Sequence, residues 1–257
     1  MQNILILIEY FFVFTAGLAL GSFLNVCIYR IPVHESIVTG RSHCTSCGNA
    51  IKDYDLIPVV SFILLRGRCR SCGAKISWRY PLVEMLNAVA YVLIFTFSGA
   101  TALSFVYAAA VSAYIVIAFI DFDKSIIPDS IVLYIIIIGV IALIISHNIP
   151  AYERIIGFFS ISVPLLAAAI LSKGGMGMGD VKYAAAAGLV LGYKLALLGL
   201  FLGSVAGALF GVVYAVKSKK SLKTSIPFGP FLSLGFGLSM LFGNVILNFY
   251  FSLFRPC

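Results

Sequence analysis

Long apolar stretches separated by short polar ones organise this chain. Runs of roughly 17 to 25 apolar residues are long enough to cross a bilayer as helices, and eight occur, at about 4–29, 81–98, 101–120, 130–146, 155–172, 178–193, 195–216 and 227–253. The second and third are parted only by Ser98-Gly99-Ala100, which predicts a tight helical hairpin. The sixth is short and rich in Ala and Gly. The first is too long for the core of a cleaved signal and no small-residue cleavage site follows it, so it reads as a membrane helix. The pattern predicts an all-α polytopic membrane protein of about eight transmembrane helices. It divides into a first helix (1–30), a polar loop (31–80) and a seven-helix membrane core (81–257).

Composition agrees with that pattern. Hydrophobic residues make up 61% of the chain and charged residues 11%, against about 25% charged in a soluble domain. Mean hydropathy is +1.06. With the amino terminus outside, segments 30–80, 121–129, 173–182 and 217–225 face the cytosol and hold 15 of the 18 Lys and Arg residues. That asymmetry is the positive-inside signature. The formal charge of +8 is therefore topological, a solvated face beside anionic membrane lipid, and needs no nucleic-acid partner.

Four of the six cysteines lie in the 31–80 loop, as CTSC (Cys44, Cys47) and CRSC (Cys69, Cys72), each pair followed by glycine. Two tight turns presenting four soft ligands suit a structural zinc ion held as in a zinc ribbon, with no coordination position left for catalytic water. Thiol redox chemistry is the rival, but this topology puts both pairs in the reducing cytosol, where disulfides are rare. Cys27 and Cys257 stand outside the scheme.

Acids near a bilayer are costly and so are functional candidates. Asp121 ends the third run, and Asp123 lies about 200° further round the same helix, so only Asp121 is expected to face the bundle. The stretch DFDKSIIPDS breaks that helix at Ile127-Pro128 and leaves Asp129 or Ser130 to cap the next. Asp180 closes the glycine run KGGMGMGD at another inner boundary. Two carboxylates from different helices at one depth can work as a pair, one holding a proton while the other activates water. Gly174, Gly175, Gly177 and Gly179 leave room for a peptide backbone to approach. A proton relay in a transporter would use the same acids. It predicts inverted repeats, and no second copy of the glycine run occurs.

Several stretches together resemble one family. GMGD (177–180) is similar to the GxGD signature of intramembrane aspartyl proteases, the class that includes presenilin and archaeal preflagellin peptidases. GSFLNVCIYRIP (21–32), the double CxxC loop, RYPLVEMLNA (79–88), IDFDKSIIPD (120–129), GGMGMGDVK (174–182) and IPFGPFLSLG (226–235) resemble, in order, bacterial type IV prepilin peptidases. Presenilins and preflagellin peptidases lack the cysteine loop. One departure is Cys27, where the family commonly has an aliphatic residue.

The resemblance implies an inner-membrane enzyme that cuts the short basic leader from prepilins or pseudopilins after glycine, at the cytosolic face. It implies that the enzyme then N-methylates the new amino terminus using S-adenosylmethionine; a protease-only relative is the alternative. Carried over by position, Asp121 and Asp180 form the protease dyad, and Cys44, Cys47, Cys69 and Cys72 hold Zn2+. Gly21, Asn25, Tyr29 and Arg30 are methyl-donor candidates because their motif adjoins the cysteine loop. Glu84, Gly177, Gly179 and Lys182 are candidates for contact with substrate, Glu84 through the leader's cations or the new amino terminus, the alternative being a contact with the dipole at the start of its own helix, and Lys182 by pairing with Asp180 or with lipid phosphate.

Overall fold

The computed structural model describes residues 2–146, 149–171, 176–218 and 227–253. Nine α-helices occur among them: α1 Gln2–Arg30, α2 Val60–Leu64, α3 Arg79–Ser98, α4 Ala102–Lys124, α5 Asp129–Ile145, α6 Ala151–Leu171, α7 Met178–Leu191, α8 Tyr193–Ser218 and α9 Gly229–Ser252. Each of the eight apolar runs is a helix, and the short α2 is additional. By length and hydropathy, α1, α3, α4, α6, α8 and α9 are able to cross a membrane. The expected count of eight spans is thus approximate, because α5 has 17 residues and α7 has 14. The chain is a multi-pass, all-helical membrane protein. Among the described residues the extended pairing amounts to two isolated bridges, both in the cysteine loop.

Contacts divide the chain into two compact units, Met1–Ala100 and Thr101–Cys257. In the first, α1 packs on α3 through glycines one turn apart. A Cβ on Gly17 would lie 2.6 Å from Cα of Ala88, and one on Gly21 2.6 Å from Cα of Glu84. Small residues at this spacing let two membrane helices approach backbone to backbone. Asn87 Nδ2 then donates to the Gly17 carbonyl (2.8 Å) and Asn25 Nδ2 to that of Tyr80 (3.1 Å).

The second unit packs α9 on both α4 and α8, and α7 against α5 and α6. Its interior holds Tyr114 of α4, Tyr183 of α7 and Phe236 of α9, all at most 1% exposed. Their ring centroids lie 5.5–6.1 Å apart, and the hydroxyls of Tyr183 and Ser233 are 3.0 Å apart. Glycine again marks the closest approaches, Gly157 of α6 against Gly188 of α7 and Gly199 and Gly203 of α8 against Gly235 of α9. Arg154 is fully buried. Its Nη1 donates to the carbonyls of Leu189 and Val190, the last turn of α7, where a cation meets the negative end of the helix dipole. Gly192, at φ 78°, ends α7.

Candidate active site and cysteine centre

Asp121 lies in the last turn of α4, which stops at Lys124 because Ser125 turns left-handed (φ 53°) and returns its N–H to the Asp121 carbonyl at 2.8 Å. The helix therefore ends three residues before Ile127-Pro128, where sequence alone put the break. Asp121 is buried and Asp123 exposed, the division of faces expected from helix geometry. Oδ2 of Asp121 accepts the backbone N–H of Gly229 at 2.8 Å. Gly229 is the first residue of α9, so the carboxylate sits at the positive end of a helix. Pro230 follows and has no N–H to offer. A Cβ at 229 would come 2.7 Å from Oδ2 and 3.1 Å from Cγ of Asp121, so only glycine leaves this carboxylate its place. Sequence reasoning did not single out Gly229; the available signal was Gly-Pro opening an apolar run.

Asp180 is in the first turn of α7, with Gly177 as the N-cap. Its carboxylate turns back onto the Gly177 N–H, as the acid of a capping box does. The Asp121 and Asp180 carboxylates lie within electrostatic reach of one another. A Cβ on Gly179 would lie 3.0 Å from Cβ of Ile127, so this glycine lets the first turn of α7 approach the α4–α5 connection. Gly174 and Gly175 lie outside the described residues.

Lys182 pairs with Asp129 (Nζ to Oδ1 2.9 Å, to Oδ2 3.1 Å) rather than with Asp180. Asp129 does not cap α5: the N-cap is Pro128, no side chain caps it, and Asp129 occupies the first turn.

In the first unit the four loop sulfurs lie within 4.8 Å of one another, with Cys44 and Cys72 Sγ 3.9 Å apart. A tetrahedral ion with metal–sulfur bonds of about 2.3 Å needs sulfur–sulfur edges of about 3.8 Å, so the donor set fits zinc. The two knuckles repeat one design. Cys44 N–H donates to Asn49 and Gly48 N–H to Cys44; Cys69 N–H donates to Ala74 and Gly73 N–H to Cys69. Gly48 (φ 73°) and Gly73 (φ 72°) make the left-handed turns. Backbone N–H groups of Cys47 and Ser46 aimed at Cys44 lower its thiol to about 6, so it is readily available as thiolate. Arg70 grips Asp55 with two nitrogens (2.7 and 2.8 Å), tying the second knuckle to the turn Asp53–Leu56.

The remaining candidates carry structural contacts. Glu84 is buried, and Oε2 accepts the N–H of Val59 at 2.8 Å. Val59 precedes α2 at φ 60°, a strained position for a β-branched residue. Arg30 is buried, and its guanidinium donates to the carbonyls of Ser36 and Thr39 (2.9 Å each) and of Gly40 and Arg41 (3.3 Å each). Gly21 and Asn25 join α1 to α3, Tyr29 is exposed, and Cys27 is buried. Cys257 lies outside the described residues.

Residues 15–97 match the bacterial peptidase A24 N-terminal domain, and residues 108–212 match the type IV leader peptidase family. A prepilin leader peptidase/N-methyltransferase of Bacillus subtilis is 32% identical over 92% of this chain and 96% of its own length. The chain belongs to the type IV leader peptidase family. Proteins of the same description from Pseudomonas putida (33% identical, 90% of this chain and 89% of the relative) and Aeromonas salmonicida (31%, 93% of each) agree. No solved structure matches. The family match that holds Asp121 and Asp180 ends before α9, so the Gly229 contact lies beyond it.

Proposed function

We propose that this protein is a membrane aspartyl endopeptidase that removes the basic leader from type IV prepilins or pseudopilins, cutting after glycine. In this reading it then N-methylates the exposed amino terminus with S-adenosylmethionine. What carries the proposal is that the Asp121 and Asp180 carboxylates lie within electrostatic reach of one another, each beside a backbone N–H at a helix start. One carboxylate carries a proton and hydrogen-bonds the scissile carbonyl oxygen. The other takes a proton from water as hydroxide adds to the carbonyl carbon. The amide C–N bond then breaks, and the departing nitrogen takes a proton from the dyad. Gly177 leaves the peptide backbone room beside Asp180, whereas the space at Gly179 is taken up by Ile127.

The chain lies in the cytoplasmic membrane with its amino terminus outside and this site at the cytosolic face, following its Lys and Arg distribution. There a cationic leader stays in water while the apolar segment behind it stays in lipid. Cys44, Cys47, Cys69 and Cys72 hold Zn2+ as a scaffold. S-adenosylmethionine supplies the methyl group. In this reading the 21–30 motif adjoins its site, with Tyr29 exposed and Arg30 shaping the adjoining loop, while Gly21 and Asn25 fix α1 on α3.

Asp121→Asn and Asp180→Asn keep size but cannot act as base. Prepilin cleavage in membranes should fall by about 10²–10⁴-fold in each; wild-type cleavage by either would refute the dyad. Mass spectrometry of the mature product should show one added methylene only when the methyl donor is supplied. An unmodified terminus under those conditions leaves a protease alone.

A further inference from the structure

Beside the second cysteine knuckle lies a cleft of about 600 Å³, a volume ordinary for a small-molecule site. It is lined by Arg66, Arg68 and Lys75 together with Phe62, Ile76 and Trp78, and by no carboxylate. All three cations are exposed and have no ion-pair partner among the described residues. Arg68 and Lys75 face each other across an antiparallel bridge, where like charges repel. Arg66 sits at φ 52°, a left-handed conformation that non-glycine residues seldom adopt. Three unpaired cations held together, two of them opposed, call for an anion.

The surroundings say what the anion is attached to. Phe62 and Trp78 meet edge to face at 4.8 Å. Beside them Val60, Ile63 and Leu64 of α2 are 49–76% exposed, as is Trp78 at 76%. Trp78 is the sole tryptophan of the chain and immediately precedes α3, one of the helices able to cross a membrane. Tryptophan before a membrane helix belongs at headgroup depth, and a cationic, apolar patch continuous with it has the chemistry of a lipid surface. The cationic leader of the proposed substrate is repelled here. S-adenosylmethionine, with its sulfonium and ammonium, finds no carboxylate.

We propose that this cleft seats the phosphate of an anionic phospholipid between Arg66, Arg68 and Lys75, with its acyl chains lying along Trp78 and α2. The site tethers the cysteine loop to the membrane surface and is independent of the peptidase reading. A basic side chain at an anionic surface strengthens binding about fivefold, so three predict a preference on the order of a hundredfold over a zwitterionic lipid.

Trp78 is its own probe. The full chain, in nanodiscs of phosphatidylcholine with a minor fraction of acyl-brominated phosphatidylglycerol, should show strong quenching of tryptophan emission. The same fraction of brominated phosphatidylcholine should quench far less. R66Q/R68Q/K75Q should lose that difference, with bound metal retained as evidence that the knuckles still fold. Equal quenching by the two lipids overturns the proposal. So does relief of quenching by soluble glycerol phosphate, which would make the site one for a free anion. Prepilin cleavage, assayed separately, reports on the peptidase and not on this site.

Discussion

Glu84 illustrates how a single contact can separate two roles. As a receiver of the leader's cations it would need its charge. As the acceptor for Val59 it needs only an oxygen. Glu84→Ala leaves a part-buried N–H without a partner, at a cost of about 1 kcal/mol, whereas Glu84→Gln keeps an acceptor. Thermal unfolding should therefore drop for the alanine variant and change little for glutamine, with KM for prepilin unaltered in the latter. A raised KM with intact stability in Glu84→Gln would return Glu84 to the substrate. Gly229→Ala is the complementary test at the proposed dyad. A methyl 2.7 Å from Oδ2 of Asp121 must displace that carboxylate, and misplacement by about 1 Å costs on the order of 10²-fold in rate. Cleavage should fall by that order while bound metal is unchanged; unimpaired cleavage would mean the carboxylate has another resting place. The inward face of Asp121 was legible from 100° per residue. The contact with Gly229, 108 residues on, was not, because nothing local to either residue specifies it. Arg154 was hidden for the same reason: its partners include carbonyls of α7, a group that every sequence has.

Glycines decide how closely the helices approach, and their importance differs from site to site. Gly21→Val drives a branched side chain into the α3 backbone and should cost at least about 1–3 kcal/mol. Gly237 of α9 has open space around its Cβ position, so Gly237→Ala should be neutral or stabilising by up to about 1 kcal/mol. Thermal melts of both variants check the pair, and equal effects would sink the assignment of α1–α3 packing to Gly21. The cysteine loop is the other element with a direct test. Cys44→Ser, or chelation of the wild type, should release one metal ion per chain and expose 31–80 to protease; elemental analysis finding no metal in the wild type would remove the zinc centre. This cluster was readable early, since CxxC-Gly written twice encodes both the donors and the turns. The loop's anchorage by Arg30 and Glu84 was not, because both bind backbone groups far along the chain.

Bilayer thickness made most of the whole-molecule pattern readable: eight apolar runs stand out because lipid admits little else. The pairing of α3 with α1 in one compact unit, and of six helices in the other, was not apparent, as it depends on small residues whose partners lie on other helices. Orientation rests on cation placement and is testable directly. With Ala100→Cys, an impermeant maleimide should label intact spheroplasts; with Lys124→Cys, labelling should require lysis. The reverse pattern would invert the chain and move the proposed site to the opposite face.

One dimension of the molecule has a consequence for water. The 14 residues of α7 rise about 21 Å, against a hydrocarbon layer of about 30 Å. If α7 crosses the membrane, the remaining 9 Å or so is left to a dent in the bilayer or an inlet of solvent, and Asp180 stands in its first turn. Hydrolysis at the proposed site would need a reactant that the membrane excludes, and a helix too short to seal its own column would provide the opening.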